Sequence, residues 1–366
     1  MKTSRGRVVS LGVHIVDILG RPVTHIPPGQ GRQLLDEIRI TAAGTAAGTS
    51  VDLAKLGAEV IAMGAIGDDR LADFLIWLLN GYGVETRLLA RKPGVQTSAT
   101  MLPIRPNGER PALHTPGATS SLTQADVDLD VIATADILHV GGPDVLGRFG
   151  GAPLRRVLEF ARSRGVTTTM DVLSPGDAVA WSRLQPLLKH VRYFLPNEEQ
   201  LGSLTGCASL PEAARAVLAL GPEAVLVSRG AEGSALITAD RRLDYPAFPA
   251  QVIDTTGCGD ACSAGFITGL LRGWAIEDAA WLAMAAASLV VTGLGSDAGI
   301  VDLEGTLDVL RRHAPGDAVR RIFGCGPERG LDRHNQESGA HGYDADRFLY
   351  SARGGRALSA GCWWDR

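Results

Sequence analysis

The stretch DTTGCGD, residues 254–260, is followed by ACSAGFITGLL and is the most informative part of this chain. Two glycines flank a small residue, a carboxylate closes the run, and a helix of small residues is predicted to begin near Gly259. Glycine permits backbone angles and close approaches that side chains forbid. With the dipole of a helix start added, Gly257, Cys258 and Gly259 are predicted to form an anion hole from their N–H groups.

Asp260 is an unexpected neighbour for such a hole, because a carboxylate repels the anion that the hole would bind. The conflict disappears if Asp260 takes a proton from a hydroxyl that attacks a phosphoryl group, while the N–H groups hold the developing charge. That chemistry is phosphoryl transfer. The alternative is that Asp260 only caps the helix, but capping does not need two flanking glycines.

The composition excludes several other classes of protein. The chain has 366 residues, 45% of them hydrophobic, and a net charge of −4 with scattered Lys and Arg, so neither nucleic acid nor a membrane is expected as a partner. The five cysteines are odd in number and lack the spacing of a metal site, which favours reduced thiols. No signal peptide is recognisable at the N-terminus, and we expect a cytoplasmic protein.

Short β-rich runs alternate with helical patterns from Arg7–Leu11 to Ile276–Thr292, which predicts a mostly parallel sheet covered by helices on both faces. Residues 29–40 and 94–116 instead alternate between apolar and polar residues, and the second segment contains the turn signal Asn107-Gly108. Together they predict a small antiparallel sheet that stands outside the main one as a lid. From residue 315 onward no period persists, and we expect a disordered or loosely packed tail.

A series of ordered motifs resembles the ribokinase-like (PfkB) carbohydrate kinases, whose signature reads D-T-x-G-A-G-D. The likeness extends over residues 7–312. The motifs that carry it, besides residues 254–260, are GVHIVD (12–17), AGTAAG (43–48), GAIGDD (64–69), NEEQ (197–200) and SRGAEG (228–233). The resemblance implies an α/β three-layer sandwich with a mostly parallel central sheet and a small β lid. It implies a kinase domain over residues 1–314, with the lid at about 18–41 and 94–116 and the tail at 315–366.

The resemblance also implies roles for individual residues. Asp260 would be the catalytic base beside the anion hole, and ATP and Mg²⁺ would be bound, with K⁺ as a further candidate. The acceptor would be a sugar or a nucleoside, and by analogy we expect a homodimer. The residues implied to bind the acceptor are Asp17, Gly44, Gly48 and His14, and those implied to bind the nucleotide are Asn197, Ser228, Gly230 and Gly233. Asp254 and Thr256 would bind a monovalent cation, and Glu199 would reach Mg²⁺ through water.

Three positions depart from the family pattern. Gly48 stands where relatives commonly carry an Asn that binds sugar hydroxyls, which suggests a bulkier or differently oriented acceptor. Gln200 replaces the Glu of the N-x-x-E motif, so an amide replaces a carboxylate that would draw Mg²⁺ through water. Cys258 replaces an Ala, and an inert small residue is the simpler interpretation of its thiol.

Other conspicuous side chains have two interpretations each. His14 would face the cleft or be a buried, hydrogen-bonded histidine, and His114 would reach the acceptor from the lid or lie on the surface. Arg105 and Arg110 flank the predicted turn and fit a solvated loop; if they point inward, a phosphorylated acceptor becomes plausible.

The sequence therefore predicts an ATP-dependent kinase that phosphorylates a hydroxymethyl group of a sugar or a sugar-like acceptor. A nucleoside kinase of the same fold is the nearest alternative, because the loss of an Asn at Gly48 suggests altered hydroxyl recognition. A vitamin-precursor kinase is a third, since these usually carry Cys at the anion hole, although Asp260 speaks against it. From a different class, Gly48 and Gln200 would also fit a ligand-binding pseudoenzyme.

Overall fold

A computed structural model describes residues 6–324 of the chain. Within these residues the strands are β1 (Arg7–Gly12), β2 (Ile15–Arg21), β3 (Glu37–Ala43), β4 (Glu59–Gly67), β5 (Glu85–Lys92), β6 (Ala99–Pro103), β7 (Leu113–Thr115), β8 (Ile137–Gly141), β9 (Thr167–Met170), β10 (Tyr193–Phe194), β11 (Ala224–Ser228), β12 (Ser234–Thr238) and β13 (Arg242–Tyr245). The helices are α1 (Thr45–Lys55), α2 (Arg70–Gly81), α3 (Leu129–Ala133), α4 (Ala152–Ser163), α5 (Ala178–Leu188), α6 (Glu198–Thr205), α7 (Leu210–Leu218), α8 (Cys258–Leu271), α9 (Ile276–Val290), α10 (Leu303–His313) and α11 (Gly316–Phe323).

Nine strands form the central sheet, in the order β13-β12-β11-β10-β9-β8-β1-β4-β5. From β11 to β5 all neighbours pair in parallel, whereas β12 and β13 add an antiparallel edge. The strands next to β1 are almost completely buried, as expected for a parallel sheet covered on both faces. The predicted mostly parallel sheet is confirmed.

Helices cover the central sheet on both faces and build two parts of the core. On one face, apolar residues of α4, α5, α6 and α7 pack against side chains such as Val9 and Leu138. On the other face, α1, α2 and α8 pack against Val8 and Val60, and α9 and α10 extend the layer across the β12 side. The predicted three-layer arrangement is confirmed.

The order in which the strands are added to the central sheet reverses between β1 and β8. In sheets of this kind, ligands bind outside the carboxyl ends of the strands at that point. Gly12 and Gly141 end these two strands side by side. A Cβ atom on Gly12 would lie 2.9 Å from the carbonyl carbon of Gly141, and one on Gly141 would lie 2.8 Å from Cα of Ala46 in α1. The start of α1 therefore rests directly on this edge of the sheet.

A separate four-stranded sheet has the order β3-β2-β6-β7 and corresponds to the predicted lid. Its hairpin β6–β7 is antiparallel and contains a turn in which N–H of Gly108 donates to the carbonyl of Arg105 at 2.9 Å. The prediction of a purely antiparallel sheet is wrong, because β2 pairs with β6 in parallel. The lid also begins earlier than residue 18, since all of β2 from Ile15 belongs to it.

The segment predicted to be loose from residue 315 onward begins with an ordered helix instead. In α11, Ala318 is buried and Arg321 donates two hydrogen bonds to Asp278 Oδ1 of α9, at 3.1 and 2.9 Å. The predicted boundary at 314 is therefore too early by at least this helix. The remainder of the predicted tail lies outside the described residues. No helix within residues 6–324 has the length and apolar character needed to cross a membrane.

Candidate active site

The DTTGCGD stretch forms the loop and first turn of α8. Gly257 precedes the helix with a φ of 83°, and a Cβ atom at that position would lie 2.5 Å from Cα of Ser296. Both facts require glycine there. The first intrahelical bond runs from N–H of Ala261 to the carbonyl of Gly257 at 2.9 Å. The N–H groups of Gly259 and Asp260 precede that bond and remain for a ligand.

Cys258 lies beside these N–H groups with its thiol partly buried. Burial raises the pKa of Cys258 to about 12, so the thiol is neutral near pH 7. Cys262, one turn further along α8, is buried, and its pKa is also raised to about 12 by burial. Both thiols are therefore poor nucleophiles, which agrees with the interpretation of Cys258 as an inert small residue.

The Asp260 side chain is only 9% exposed and lies between α8 and α1. Burial raises its pKa well above the ordinary value, and the nearby carboxylates of Asp171, Asp52 and Asp17 raise it further. The positive charge of Arg110 acts in the opposite direction. Such a carboxylate has the raised basicity that suits a proton acceptor at neutral pH.

The glycines of α1 make room for this carboxylate. A Cβ atom on Gly48 would overlap the Asp260 side chain and lie 2.8 Å from its Cγ. Gly44 precedes α1 with a φ of 88°, and a Cβ there would lie 2.7 Å from the carbonyl oxygen of Val13. Gly48 is thus required by the position of Asp260, a reason that its sequence context does not reveal.

Asp17 lies in β2, on the buried face of the lid sheet. Its register partners are Thr41 in β3 and Thr100 in β6. The side chain is 7% exposed, and Oδ1 has no hydrogen-bond partner in the described part of the chain. Burial raises the pKa of Asp17 to about 6, although Thr100 and Arg110 oppose the shift. A buried carboxylate oxygen without a donor is suited to a ligand hydroxyl.

His14 belongs to the interior, whereas His114 is exposed on β7 of the lid. His14 is fully buried, with Nδ1 3.0 Å from the carbonyl oxygen of Gly12, and burial lowers its pKa to about 4. This position agrees with the alternative of a buried, hydrogen-bonded histidine rather than with a contact to the acceptor. His114 lies on β7, where its Nδ1 is 3.1 Å from Thr100 Oγ1.

The residues predicted for the nucleotide come together at the carboxyl ends of β10 and β11. Asn197 and Ser228 form an isolated parallel bridge. Gly230 begins the short turn after β11, and Gly233 ends it with a φ of 86°, where a Cβ would lie 2.7 Å from N of Ala247. These positions lie on the same edge of the sheet as Gly12 and Gly141.

One residue of this region escaped the sequence analysis, and the position of a second one was left open by it. Asp171 follows β9 and is 4% exposed; its Oδ1 accepts a bond from N–H of Gly142 at 3.2 Å. A carboxylate directly after a buried parallel strand was a usable signal for it. Arg110 had two interpretations, a solvated loop or an inward position; it is exposed, and its Nη1 donates to Thr256 Oγ1 at 3.2 Å. No periodicity predicts the direction of such a loop side chain.

Comparison with known proteins identifies this arrangement. The sequence profile of the pfkB family carbohydrate kinases matches residues 5–302. The chain belongs to the pfkB family. It is therefore a phosphotransferase of the carbohydrate kinase type, as the resemblance of its motifs predicted.

Individual pfkB relatives agree with this assignment. A deoxyribokinase from Salmonella typhi is 25% identical over 303 residues, which cover 81% of this chain and 96% of the relative. The structure of Arabidopsis thaliana ribokinase complexed with ribose and ATP superposes with a TM-score of 0.72 at 25% identity, covering 84% of this chain and 99% of that one. A putative ribokinase II from E. coli in complex with ATP and Mg²⁺ has a TM-score of 0.75 at 19% identity, covering 84% of this chain and 100% of that one, and supports the fold.

The N-x-x-E region of this pfkB kinase has its side chains engaged in helix capping. Asn197 Oδ1 accepts from N–H of Gln200 at 2.7 Å, and Gln200 Oε1 accepts from N–H of Asn197 at 2.8 Å. The Gln200 amide also donates to the carbonyl of Val172 at 2.8 Å. Glu199 is exposed in the first turn of α6. Gln200 therefore performs a structural task that an amide fulfils and that a carboxylate could fulfil only in part.

The residues around Asp254 connect the loop before α8 of the pfkB kinase to a neighbouring loop. Asp254 is 1% exposed; its Oδ1 accepts from N–H and Oγ1 of Thr256 at 3.1 and 2.9 Å, and its Oδ2 accepts from N–H of Gly295 at 2.9 Å. A buried carboxylate with these neutral donors keeps its negative charge unpaired. A cation would fit that charge.

Proposed function

We propose that this protein transfers the γ-phosphoryl group of ATP to a hydroxymethyl group of a sugar or sugar-like acceptor. The observation that carries the proposal is the pairing of two buried carboxylates across one cleft. Asp260 lies in the first turn of α8, next to N–H groups that precede the first helical bond, and Asp17 presents an unpartnered oxygen from the lid. Asp260 is suited to deprotonate the acceptor, and Asp17 is suited to bind an acceptor hydroxyl.

In the proposed reaction, Asp260 takes the proton of the acceptor hydroxyl. The hydroxyl oxygen forms a bond to the γ-phosphorus, while the bond between that phosphorus and the bridging oxygen breaks and ADP leaves with the electron pair. The N–H groups of Gly259 and Asp260 stabilise the negative charge on the transferred group, whereas N–H of Cys258 donates to the carbonyl of Thr255 at 3.4 Å. The lid side chain of Asp17 orients the acceptor, and Gly44 lets the start of α1 approach it.

Metal ions belong to this proposal as partners of the phosphates. Mg²⁺ usually keeps several waters and needs only one or two protein contacts besides nucleotide phosphates. Residues 6–324 contain no cluster of three or more acidic, His or Cys side chains able to hold a metal, which agrees with such a loosely held ion. Asn197 and the exposed Glu199 are the proposed contacts through water. Asp254 and Thr256 are the proposed neighbours of K⁺, on the strength of the unpaired buried charge.

We also propose a homodimer that forms through the outer face of the lid. Ile18, Ile40, Met101 and Leu113 form one row across the four strands, and Ile38 lies next to that row; we call these five residues the lid stripe. Ile40, Met101 and Leu113 are 42%, 53% and 56% exposed. A contiguous apolar surface on a sheet is typical of an interaction site, and a second copy offers a matching surface.

The test of the proposed function is ADP release from ATP and Mg²⁺ across a panel of sugars, sugar phosphates and nucleosides, with K⁺ or Na⁺. We expect acceptor-dependent turnover that Asp260→Asn lowers by about 10²–10⁴-fold, because proton transfer in the transition state contributes that much. Calorimetric binding of ATP should stay nearly unchanged in this isosteric variant.

The panel separates the alternatives by outcome. Turnover with nucleosides but not with free sugars would replace the proposal by a nucleoside kinase. An Asp260→Asn variant that retains most of its activity would remove Asp260 as the base. Binding of nucleotide or sugar without turnover on any acceptor would favour the pseudoenzyme.

A further inference from the structure

The connection between β6 and β7 carries two arginines that behave differently. Arg105 points outward and pairs with Glu109 of the same turn, with Nη1 3.0 Å from Oε2. Arg110 is also exposed, but it donates from Nη1 to Thr256 Oγ1 at 3.2 Å. The Thr256 hydroxyl in turn donates to Asp254 Oδ1 at 2.9 Å, which fixes its orientation. A lid side chain thus reaches the loop that forms the anion hole.

The guanidinium of Arg110 lies among the groups assigned to the reaction. Its positive charge lowers the pKa of Asp17, Cys258 and Asp260 against the larger effect of burial. Within residues 6–324, Arg110 forms no salt bridge, although Arg105, five residues earlier, does. A guanidinium has five N–H donors in a planar fork that matches phosphoryl oxygens, and the bond to Thr256 uses one of them.

We propose that Arg110 is a catalytic residue that binds the phosphoryl group during its transfer, an inference that rests on the proposed function. While the phosphorus moves from the leaving ADP oxygen to the acceptor oxygen and the proton moves to Asp260, negative charge is spread over the three other phosphoryl oxygens. Arg110 donates to these oxygens from the lid side, opposite the N–H groups of α8. It also offsets the repulsion between the carboxylates and the incoming phosphate.

The position of Arg110 explains how the kinase would avoid wasting ATP on water. Asp17 and Arg110 are both carried by the lid sheet and its β6–β7 connection, so the acceptor ligand and the phosphoryl ligand are parts of one unit. Binding of an acceptor to Asp17 holds this unit over the cleft. The acceptor and the guanidinium are then held over the cleft by the same unit, which is the water-excluding arrangement that kinases need.

Arg110→Ala, Arg110→Lys and the matched control Arg105→Ala test the proposal in steady-state kinetics with the acceptor found by the panel. Loss of one transition-state donor costs about 10²–10³-fold in kcat, so Arg110→Ala should fall by about that factor with little change in acceptor KM. Arg110→Lys should recover part of the loss, because it keeps charge but not the fork. Arg105→Ala should match the wild type.

Two kinetic results would overturn the proposal. If Arg110→Ala raises the acceptor KM for a sugar phosphate and leaves kcat unchanged, the guanidinium binds a phosphate on the acceptor instead. If Arg110→Ala behaves like Arg105→Ala, the contact with Thr256 has no role in the reaction.

A binding experiment tests the same residue without any acceptor. Aluminium fluoride together with ADP and Mg²⁺ mimics a phosphoryl group in transfer, and its dissociation constant is measured by calorimetry beside that of ADP and Mg²⁺ alone. Arg110→Ala should weaken the mimic by about tenfold or more relative to Arg105→Ala, with ADP unaffected. Equal affinity in the two variants would contradict the role of Arg110, whereas silence of the wild type across the acceptor panel would contradict only the proposed function.

Discussion

Asp17 shows at the scale of one residue how a buried carboxylate opposes stability. Its carboxylate is buried in the lid sheet, and Oδ1 lacks a partner in the described chain. Burial raises the pKa of Asp17 to about 6, which means that folding favours the neutral acid. At neutral pH the folded protein therefore holds an incompletely satisfied charge, a cost typical of groups kept for ligand binding.

We expect Asp17→Asn to increase the free energy of unfolding at pH 7 by about 1–3 kcal/mol, since the folded pKa exceeds the unfolded one. A carboxyl with a raised pKa contributes stability that is complete below about pH 4 and is lost as the pH rises through about 6. The advantage of Asn should therefore vanish near pH 4. Urea unfolding of both proteins between pH 4 and pH 8 measures this difference.

Asp69→Asn is the control, because we expect it to change the free energy of unfolding in the opposite direction. Asp69 accepts from N–H of Ala72 and of Thr97 at 2.9 and 2.8 Å, and these and other hydrogen bonds lower its pKa despite partial burial. Ionised Asp69 stabilises the folded protein at a pH above the pKa of the unfolded state, and this stabilisation is lost as the pH falls through the pKa of the folded state. Asp69→Asn should therefore destabilise the protein at pH 7. If Asp17→Asn also destabilises at pH 7, the assignment of an unpartnered charge to Asp17 is wrong.

Prediction from sequence worked unevenly among individual residues. The two glycines of DTTGCGD predict the turn before α8, because Gly257 adopts a φ of 83° that other residues rarely reach. The sequence analysis interpreted Gly48 only as the loss of a hydrogen-bonding side chain. It could not show that Gly48 makes room for Asp260, because the two residues are 212 positions apart in the chain. The two interpretations of Arg110 stayed open for the same reason, because only the folded lid brings it to Thr256.

At the scale of elements, the crossing of α1 and α8 determines where Asp260 can lie. Thr49 and Ser50 are fully buried at this crossing, and Thr49 Oγ1 donates to the carbonyl of Asp260 at 3.5 Å. Gly48 leaves the space that the Asp260 carboxylate occupies. Close packing at one glycine thus fixes the direction of a side chain on the neighbouring helix.

Gly48→Ala should lower kcat by about 100-fold or more while keeping the protein folded. Ala is favoured over Gly in a helix by about 1 kcal/mol, but its Cβ would displace the Asp260 carboxylate from its present position. A base misplaced by about 1 Å costs on the order of 10² in rate. Steady-state kinetics and thermal unfolding together measure both effects.

Gly202→Ala is the matched control, since Gly202 lies within α6 and a Cβ there would meet no atom within 4 Å. It should raise the melting temperature slightly and leave kcat unchanged. Full activity of Gly48→Ala would show that Asp260 does not need its present side-chain position.

The elements that sequence patterns predicted are those with buried, strongly apolar periods. The sequence predicts a strand over Glu59–Ala65 and a helix over Gly259–Arg272, and the observed β4 and α8 agree to within two residues, since most residues of both elements are buried. β5 was missed because ETRLLARK has charged residues on a half-exposed edge strand, and α5 was missed because Pro186 interrupts its pattern. The parallel pairing of β2 with β6 was not predictable, because a sheet that joins distant segments has no local signature.

At the scale of the molecule, the lid stripe is an exposed apolar surface within residues 6–324, and its inner counterpart is already covered. Leu19, Leu102 and Ile104 on the inner side pack with Leu294 of the core. The outer residue Ile38 is 67% exposed next to Ile40. When a sheet is apolar on both faces and only one face is covered, the other face is typical of an interface between two copies of the protein.

Sedimentation equilibrium should give twice the chain mass of 38.5 kDa for the wild type at micromolar concentration. Ile40→Glu should shift the protein to a monomer, because it introduces a charge into the lid stripe beside Ile18 and Ile38. Trp77→Ser controls for loss of exposed apolar area, since Trp77 is 66% exposed on α2 and stacks on Phe74 far from the stripe in sequence. A monomeric wild type, or a dimer that survives Ile40→Glu, would contradict the proposed interface.

The contact of Gly12 with Gly141, at the end of β1 and β8, limits how this kinase can acquire new acceptors. Side chains added to the floor of the cleft would collide with backbone atoms of the sheet or of α1. The inward-facing positions of β2, β6 and β7 are the ones left to vary. A mutant library aimed at a different sugar should therefore randomise the roof of the pocket and leave its glycine floor untouched.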